Sequence, residues 1–242
     1  MNIFKDAKED DLFWTRDLNG VYWICRVKEA AKVYLNKELD IGAILPIEAY
    51  AFGLEVPGQI KASFNRSRGG IVERLKDLTI IEYSKDVFNK LSKENLYDVN
   101  LNIANNMIDN LPAFELEELV ISYIQIVEGY YLLSNSIANK STTVKIECQF
   151  ISRDINNVKK AVVQVKAKQA TELDALGFKA YEDTGYNIYL YAPKIRNLDK
   201  MKNVIRISPQ ELQDFYTEYK AILPESITQF ENLFNIGFSE KQ

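Results

Sequence analysis

Residues 143–168, TVKIECQFISRDINNVKKAVVQVKAK, constrain the fold more than any other stretch, because they hold two strand patterns joined by a turn. In the first pattern Val144, Ile146, Cys148 and Phe150 share one parity, while Lys145, Glu147 and Gln149 share the other. That is the two-residue period of a strand with different faces. In the second, Ala161, Val163, Val165 and Ala167 alternate with Gln164, Lys166 and Lys168. The linking Arg153-Asp154-Ile155-Asn156-Asn157 is rich in residues that tolerate turn conformations. Antiparallel pairing is therefore expected, with one apolar and one polar face, and it brings Glu147 near Gln164 and Lys166.

Those three side chains have a shared chemistry. A carboxylate and an amide oxygen can hold a hard cation such as magnesium, and a lysine on the same strand face can orient a water or stabilise charge on a phosphate. Glu147 followed by Gln164-Val165-Lys166 resembles the PD-(D/E)xK nuclease superfamily, whose core carries an acid on one strand and Glu/Gln-x-Lys on the next. The glutamine form is similar to the variant of the Mrr-like restriction endonucleases. This sequence departs from the family in carrying Glu147 where Asp is usual, and Gln164 is a neutral ligand.

Composition narrows the chemistry. With no histidine in 242 residues, Ser-His-Asp and Cys-His catalysis, histidine bases and the usual zinc ligands are excluded. Hydrolysis must depend on carboxylates, lysine or an oxygen-ligated metal. Cys25 and Cys148 both sit in apolar, strand-like contexts and are expected as buried thiols. The 47% hydrophobic content suits a globular protein with a sizeable core. No signal peptide is visible, and no apolar run approaches the roughly 18 residues of a membrane span, so a cytoplasmic protein without membrane partners is expected.

The net charge of -4 argues against nucleic-acid binding by the whole surface, but local clusters point the other way. Between Glu55 and Lys76, five basic residues (Lys61, Arg66, Arg68, Arg74, Lys76) face two acidic ones (Glu55, Glu73). Lys159, Lys160, Lys166 and Lys168 form a second cluster. Phosphate binding needs patches of this kind rather than a basic whole.

Along the chain, Leu12-Phe13-Trp14, the Asn19-Gly20 turn and Val21 to Val27 predict a hairpin. Short strands are expected over 40–52 and again over 55–60, giving an SH3-like or chromo-like β-barrel of about ninety residues. The run 80–91 reads as strand then helix with Ser84 as cap, and the polar SKENLYDVNLN places a boundary near residue 95. Phe114, Leu116, Leu119, Val120, Tyr123, Ile124 and Val127 predict an amphipathic helix ending before Glu128-Gly129. A short helix is expected over 171–176, strands over 186–192 and 203–207, and a helix capped by Ser208 with Pro209 in its first turn.

The expected fold is α/β, with a restriction-endonuclease-like core of mixed sheet and flanking helices over 96–242 and the barrel over 1–95. The segments 13–26 and 56–66 resemble, more loosely, an N-terminal module that accompanies some Mrr-like defence nucleases. Leu116-Glu117-Glu118-Leu119-Val120 is similar to the helix that begins the Mrr-like core, which implies Glu117 as an additional acid, with Glu118 the alternative. The resemblance implies a magnesium- or manganese-dependent endonuclease acting on DNA in bacterial restriction or antiphage defence. Glu117, Glu147 and Gln164 would hold the metal and Lys166 would serve catalysis; Lys61, Arg66, Arg68 and Lys168 would contact nucleic acid. A non-catalytic nuclease-fold subunit, self-association and a partner protein remain alternatives at this point.

Overall fold

The computed structural model describes residues 6–38, 40–66, 72–100, 107–134, 146–167, 171–231 and 233–234. The chain divides into two compact units, Met1–Asn102 with Phe230–Gln242, and Ile103–Gln229. Phe230 thus belongs with the first unit, packing 4.9 Å from Tyr83 between ring centroids.

In the first unit β1 (Leu12–Arg16) and β2 (Tyr22–Val27) form the expected hairpin. Asp17 fixes its turn by accepting from the Asn19 and Val21 N–H groups at 2.9 and 3.0 Å, and Gly20 takes the left-handed φ of +86° that the turn requires. After β3 (Lys32–Asn36) and β4 (Ile41–Ile44), which pair only with each other, β5 (Ile47–Gly53) joins β2, so the sheet order is β1-β2-β5. The central strand is the buried one, with Tyr22, Ile24, Cys25 and Val27 in the core.

Two strand expectations fail in this unit. The segment after Pro57 is a helix, α1 (Gly58–Asn65), because proline suits a helix start and the following Gln-Ile-Lys-Ala supports a helix. The run around Ile80 lies wholly inside α2 (Leu78–Ser92), capped by the Asp77 side chain on the Thr79 and Ile80 N–H groups. Ile80, Tyr83, Val87 and Phe88 form its buried face at helical spacing. Ser84 is therefore no cap; it is buried mid-helix, donating to the Ile80 carbonyl at 2.8 Å and accepting from Trp14 Nε1 at 2.9 Å.

The second unit starts with α3 (Ala113–Ile126), which ends as expected before Gly129 at φ +74°. Then come β6 (Tyr130–Leu133), β7 (Cys148–Ser152) and β8 (Lys160–Val165), antiparallel in turn. Instead of the helix expected over 171–176, β9 (Glu172–Asp174) leads through a 3-10 turn into α4 (Lys179–Asp183). Leu173 points into the core, and Asp174 caps the turn through the Leu176 N–H at 3.1 Å. Next, β10 (Asn187–Tyr191) runs parallel to β8, β11 (Lys194–Arg196) pairs with β9, and β12 (Val204–Arg206) runs parallel to β10. The Ser208–Glu211 capping box opens α5 (Pro209–Tyr219), and α6 (Glu225–Thr228) follows.

The resulting mixed sheet has the order β12-β10-β8-β7-β6, with β8 in its middle. One face holds Ile146, Val162, Ile188 and Leu190 under Leu173, Ala175, Phe178 and Met201. On the other, Tyr130 meets Phe150 and Tyr189 edge to face, and α3 packs against β8 and α5. Every residue of β8 from Ala161 to Val165 is buried, so the expected polar face of the hairpin does not exist there. Among the described residues no helix is long and apolar enough to cross a membrane.

Candidate functional site

Glu147 stands one residue before β7 and continues the ladder, its N–H donating to the Val163 carbonyl at 2.9 Å. That register sets its side chain beside Gln164. The Gln164 amide, 1% exposed, donates through Nε2 to Glu147 Oε1 at 2.6 Å and to the Val165 carbonyl at 3.1 Å. Both acceptors lack protons, so the amide orientation is dictated by chemistry. Gln164 Oε1 is consequently turned away, buried and without a hydrogen-bond partner among the described residues. Leaving a buried acceptor unsatisfied costs about 1–3 kcal/mol.

Lys166, two residues on, is half-buried, and its N–H donates to the Tyr191 carbonyl at 2.8 Å, which extends the β8–β10 pairing. Glu147, Gln164 and Lys166 thus gather at the carboxyl ends of the parallel strands β8 and β10, the end at which open α/β sheets bind ligands. Asp109 lies at this end as well: burial, and after it the Asp109 charge, push the Tyr191 phenol up to about 12. Sequence reasoning did not single out Asp109, since its proximity to β10 is a long-range fact that no local spacing announces.

The chain matches no family model, no curated protein and no solved structure. Function is therefore read from the site itself.

Among the described residues, no group of three or more carboxylate, thiol or imidazole side chains is gathered closely enough to hold a metal. The donor oxygens in evidence are those of the adjoining Glu147 and Gln164. Glu117 is half-buried on α3, next to Glu118, whose carboxylate accepts from the buried Ser226 hydroxyl of α6 at 2.7 Å. Glu118 is thereby given a structural partner. Glu115, one turn earlier, is the acid that α3 buries most deeply, at 1% exposure.

The expected nucleic-acid contacts divide differently. Lys61 pairs with Glu55 at 2.7 Å and Arg66 with Glu73 at 2.8 Å, so the two acids of that stretch neutralise two of its cations. Such exposed pairs are worth little and exchange readily for phosphate. Arg68 and Lys168 lie outside the described residues.

At the opposite end of the sheet sits a polar cluster that sequence reasoning missed. Tyr189 donates to Glu128 at 2.8 Å, Tyr123 reaches the same carboxylate at 3.4 Å, and Asn187 donates to the Tyr130 hydroxyl at 2.9 Å. Burial, then the bond to Glu128, hold the Tyr189 phenol far above its ordinary range. An open cavity of about 580 Å³ also lies at this end, lined by Lys159, Lys160, Tyr181 and Tyr186 among others. It is remote from the Glu147–Gln164 pair.

Proposed function

We propose that the chain is a metal-dependent endonuclease of the PD-(D/E)xK type, hydrolysing phosphodiester bonds of DNA, with bacterial restriction or antiphage defence as its setting. The observation that carries this reading is the contact between Glu147 and Gln164 across β7 and β8, with Lys166 next on the same strand. The order α3, the β7–β8 pair, α4, β10, β12 and α5 supports it, following the helix, hairpin, helix, two strands and helix read in the sequence, with β6, β9 and β11 in addition. The small antiparallel sheets of the first unit are read, within the same proposal, as an SH3-like module that holds substrate or a partner protein.

Both donors are hard oxygens of the kind magnesium or manganese takes, and Gln164 Oε1 is buried without a partner among the described residues; for one ion to join both, the Gln164 amide would turn its oxygen toward Glu147 in place of the Nε2 donation. Glu147 and Gln164 would hold the ion, with Glu117 as the supplementary acid, and the ion would supply Lewis acidity for the scissile phosphate. The Lys166 ammonium orients a water toward phosphorus and stabilises the negative charge that builds on the phosphoryl oxygens. As the new P–O bond forms the old one breaks; the attacking water gives up its proton to solvent and the departing oxygen takes one from solvent.

A second reading has its own observation. Nε2 of Gln164, not its oxygen, faces Glu147, and no three-carboxylate group is present among the described residues. This suits a non-catalytic subunit in which the same fold binds nucleic acid or assembles a complex. Cleavage of supercoiled plasmid in magnesium or manganese, against EDTA, separates the two. Cutting that Lys166→Ala and Glu147→Ala both abolish supports the endonuclease; cutting that survives both substitutions overturns it.

A further inference from the structure

The open cavity at the amino end of β8 has a composition that the catalytic reading does not use. Lys159 and Lys160 line it from the start of β8, and Tyr181, Gly185 and Tyr186 from α4 and the turn into β10. No acidic residue lines it. Glu182 and Asp183, which adjoin lining residues in sequence, both pair with Lys179 at 2.7 Å, and Glu182 also accepts from the Asn203 N–H at 3.0 Å. The cavity's own lining is therefore cationic, and Lys179 offsets one of the two carboxylates that flank it.

Its aromatic wall is ordered by contacts of its own. Tyr181 and Tyr186 meet edge to face at 5.5 Å, and both pack against the core cluster beneath the sheet. The Lys160 ammonium stands 5.7 Å from the Tyr186 ring centroid, a cation–π distance that keeps the charge beside the aromatic surface. Two cations next to two half-exposed rings are the combination that grips a phosphate and a base together.

We propose that this groove binds an unpaired polynucleotide strand, with Lys159 and Lys160 on successive phosphates and the tyrosine rings against a base. Choosing a polynucleotide over other phosphorylated ligands rests on the nuclease reading; the open shape favours a strand that passes through over a ligand that is enclosed. Lys160 and Gln164 are four residues apart on one strand, about 13 Å along it. The groove would therefore hold substrate a few nucleotides from the reacting phosphate.

The test is binding of fluorescently labelled oligothymidylate to the full chain in EDTA, where no cleavage can intervene. The double charge reversal Lys159→Glu/Lys160→Glu, at exposed positions that leave the core intact, should weaken binding at least tenfold. It should also flatten the dependence of log affinity on log salt by about 1.4, two phosphates at about 0.7 each. Tyr181→Leu, which keeps apolar packing, should weaken binding about fivefold or more through lost stacking. Inorganic polyphosphate should compete poorly. Binding unchanged by the charge reversal, no binding by the wild type, or polyphosphate competing as well as the oligonucleotide would each overturn the groove. Magnesium-dependent cleavage is scored separately on the same proteins: a groove that fails while Lys166-dependent cutting persists leaves the catalytic reading intact, and the converse leaves the groove.

Discussion

The two ends of the five-stranded sheet are both built from polar side chains on neighbouring strands, yet they are satisfied in opposite ways. At the Glu128 end, two tyrosines converge on one carboxylate and an asparagine donates to a third tyrosine, beside the edge-to-face contacts of Tyr130 with Phe150 and Tyr189. Each hydrogen bond there ties one element to another, as a structural clasp does. At the Glu147 end, the amide of Gln164 spends its donors on Glu147 and Val165 and leaves a buried oxygen with no partner among the described residues. Buried polar groups are normally satisfied, and an exception is the kind of feature that a ligand completes. The first end holds the fold, and the second is the one proposed to do chemistry.

That contrast predicts where substitutions register. The largest effect belongs to the proposed reacting end: Lys166→Ala or Glu147→Ala should lower cleavage by about 10²-fold or more while the melting temperature changes little. A clasp substitution should do the reverse. Tyr189→Phe removes a bond to a carboxylate worth about 1.5–3 kcal/mol, which denaturant titration would read, and cleavage at a permissive temperature should stay near wild type. A fall in cleavage without loss of stability would break the comparison.

Gln164→Leu sharpens it. Deleting the amide deletes its unsatisfied oxygen but also its donations to Glu147 and the Val165 carbonyl, so stability should fall by about 1–3 kcal/mol, whereas any rise in melting temperature on adding magnesium or manganese should vanish. Retention of that rise would place the cation elsewhere.

The smallest expected effect concerns acid. Glu182 is held down to about 2 by the Lys179 ammonium first and then by the Asn203 and Lys202 N–H groups. A carboxyl depressed in the folded state contributes stability above its unfolded value, near 4.3, and loses it as pH falls toward 2. Glu182→Gln should therefore show a shallower decline of melting temperature between pH 5 and 3 than the wild type. Equal slopes would mean that these contacts do not persist in solution.

Much of the frame was legible because its signals are local. Asn19-Gly20 announced the first hairpin, the spacing from Phe114 to Val127 announced α3, and Ser208-Pro209 with Glu211 announced α5. The pairing of the Glu147 strand with the Gln164 strand also followed from alternation and a turn. What escaped was decided at a distance. Alternation put Gln164 on a polar face of the hairpin, but the segment 172–183 and α3 cover both faces of that strand. The strand read at Ile80 lost to an Asp77 cap and to packing on one helical face. The three-residue strands β9 and β11 exist only because each supplies the other's partner, so neither has a pattern of its own. The charges of Lys61 and Arg66 were readable, but their ion pairs with Glu55 and Glu73 were not.

The most direct test of the proposed reacting end is anomalous diffraction from crystals of the protein soaked in manganese. A manganese peak bound by a Glu147 carboxylate oxygen and by Gln164 Oε1, each at about 2.0–2.3 Å, with the Gln164 amide turned over so that its oxygen replaces Nε2 beside Glu147, and absent from crystals of Glu147→Ala, is the result expected. Manganese bound elsewhere, or a fully soaked crystal with no peak at this pair, would contradict it.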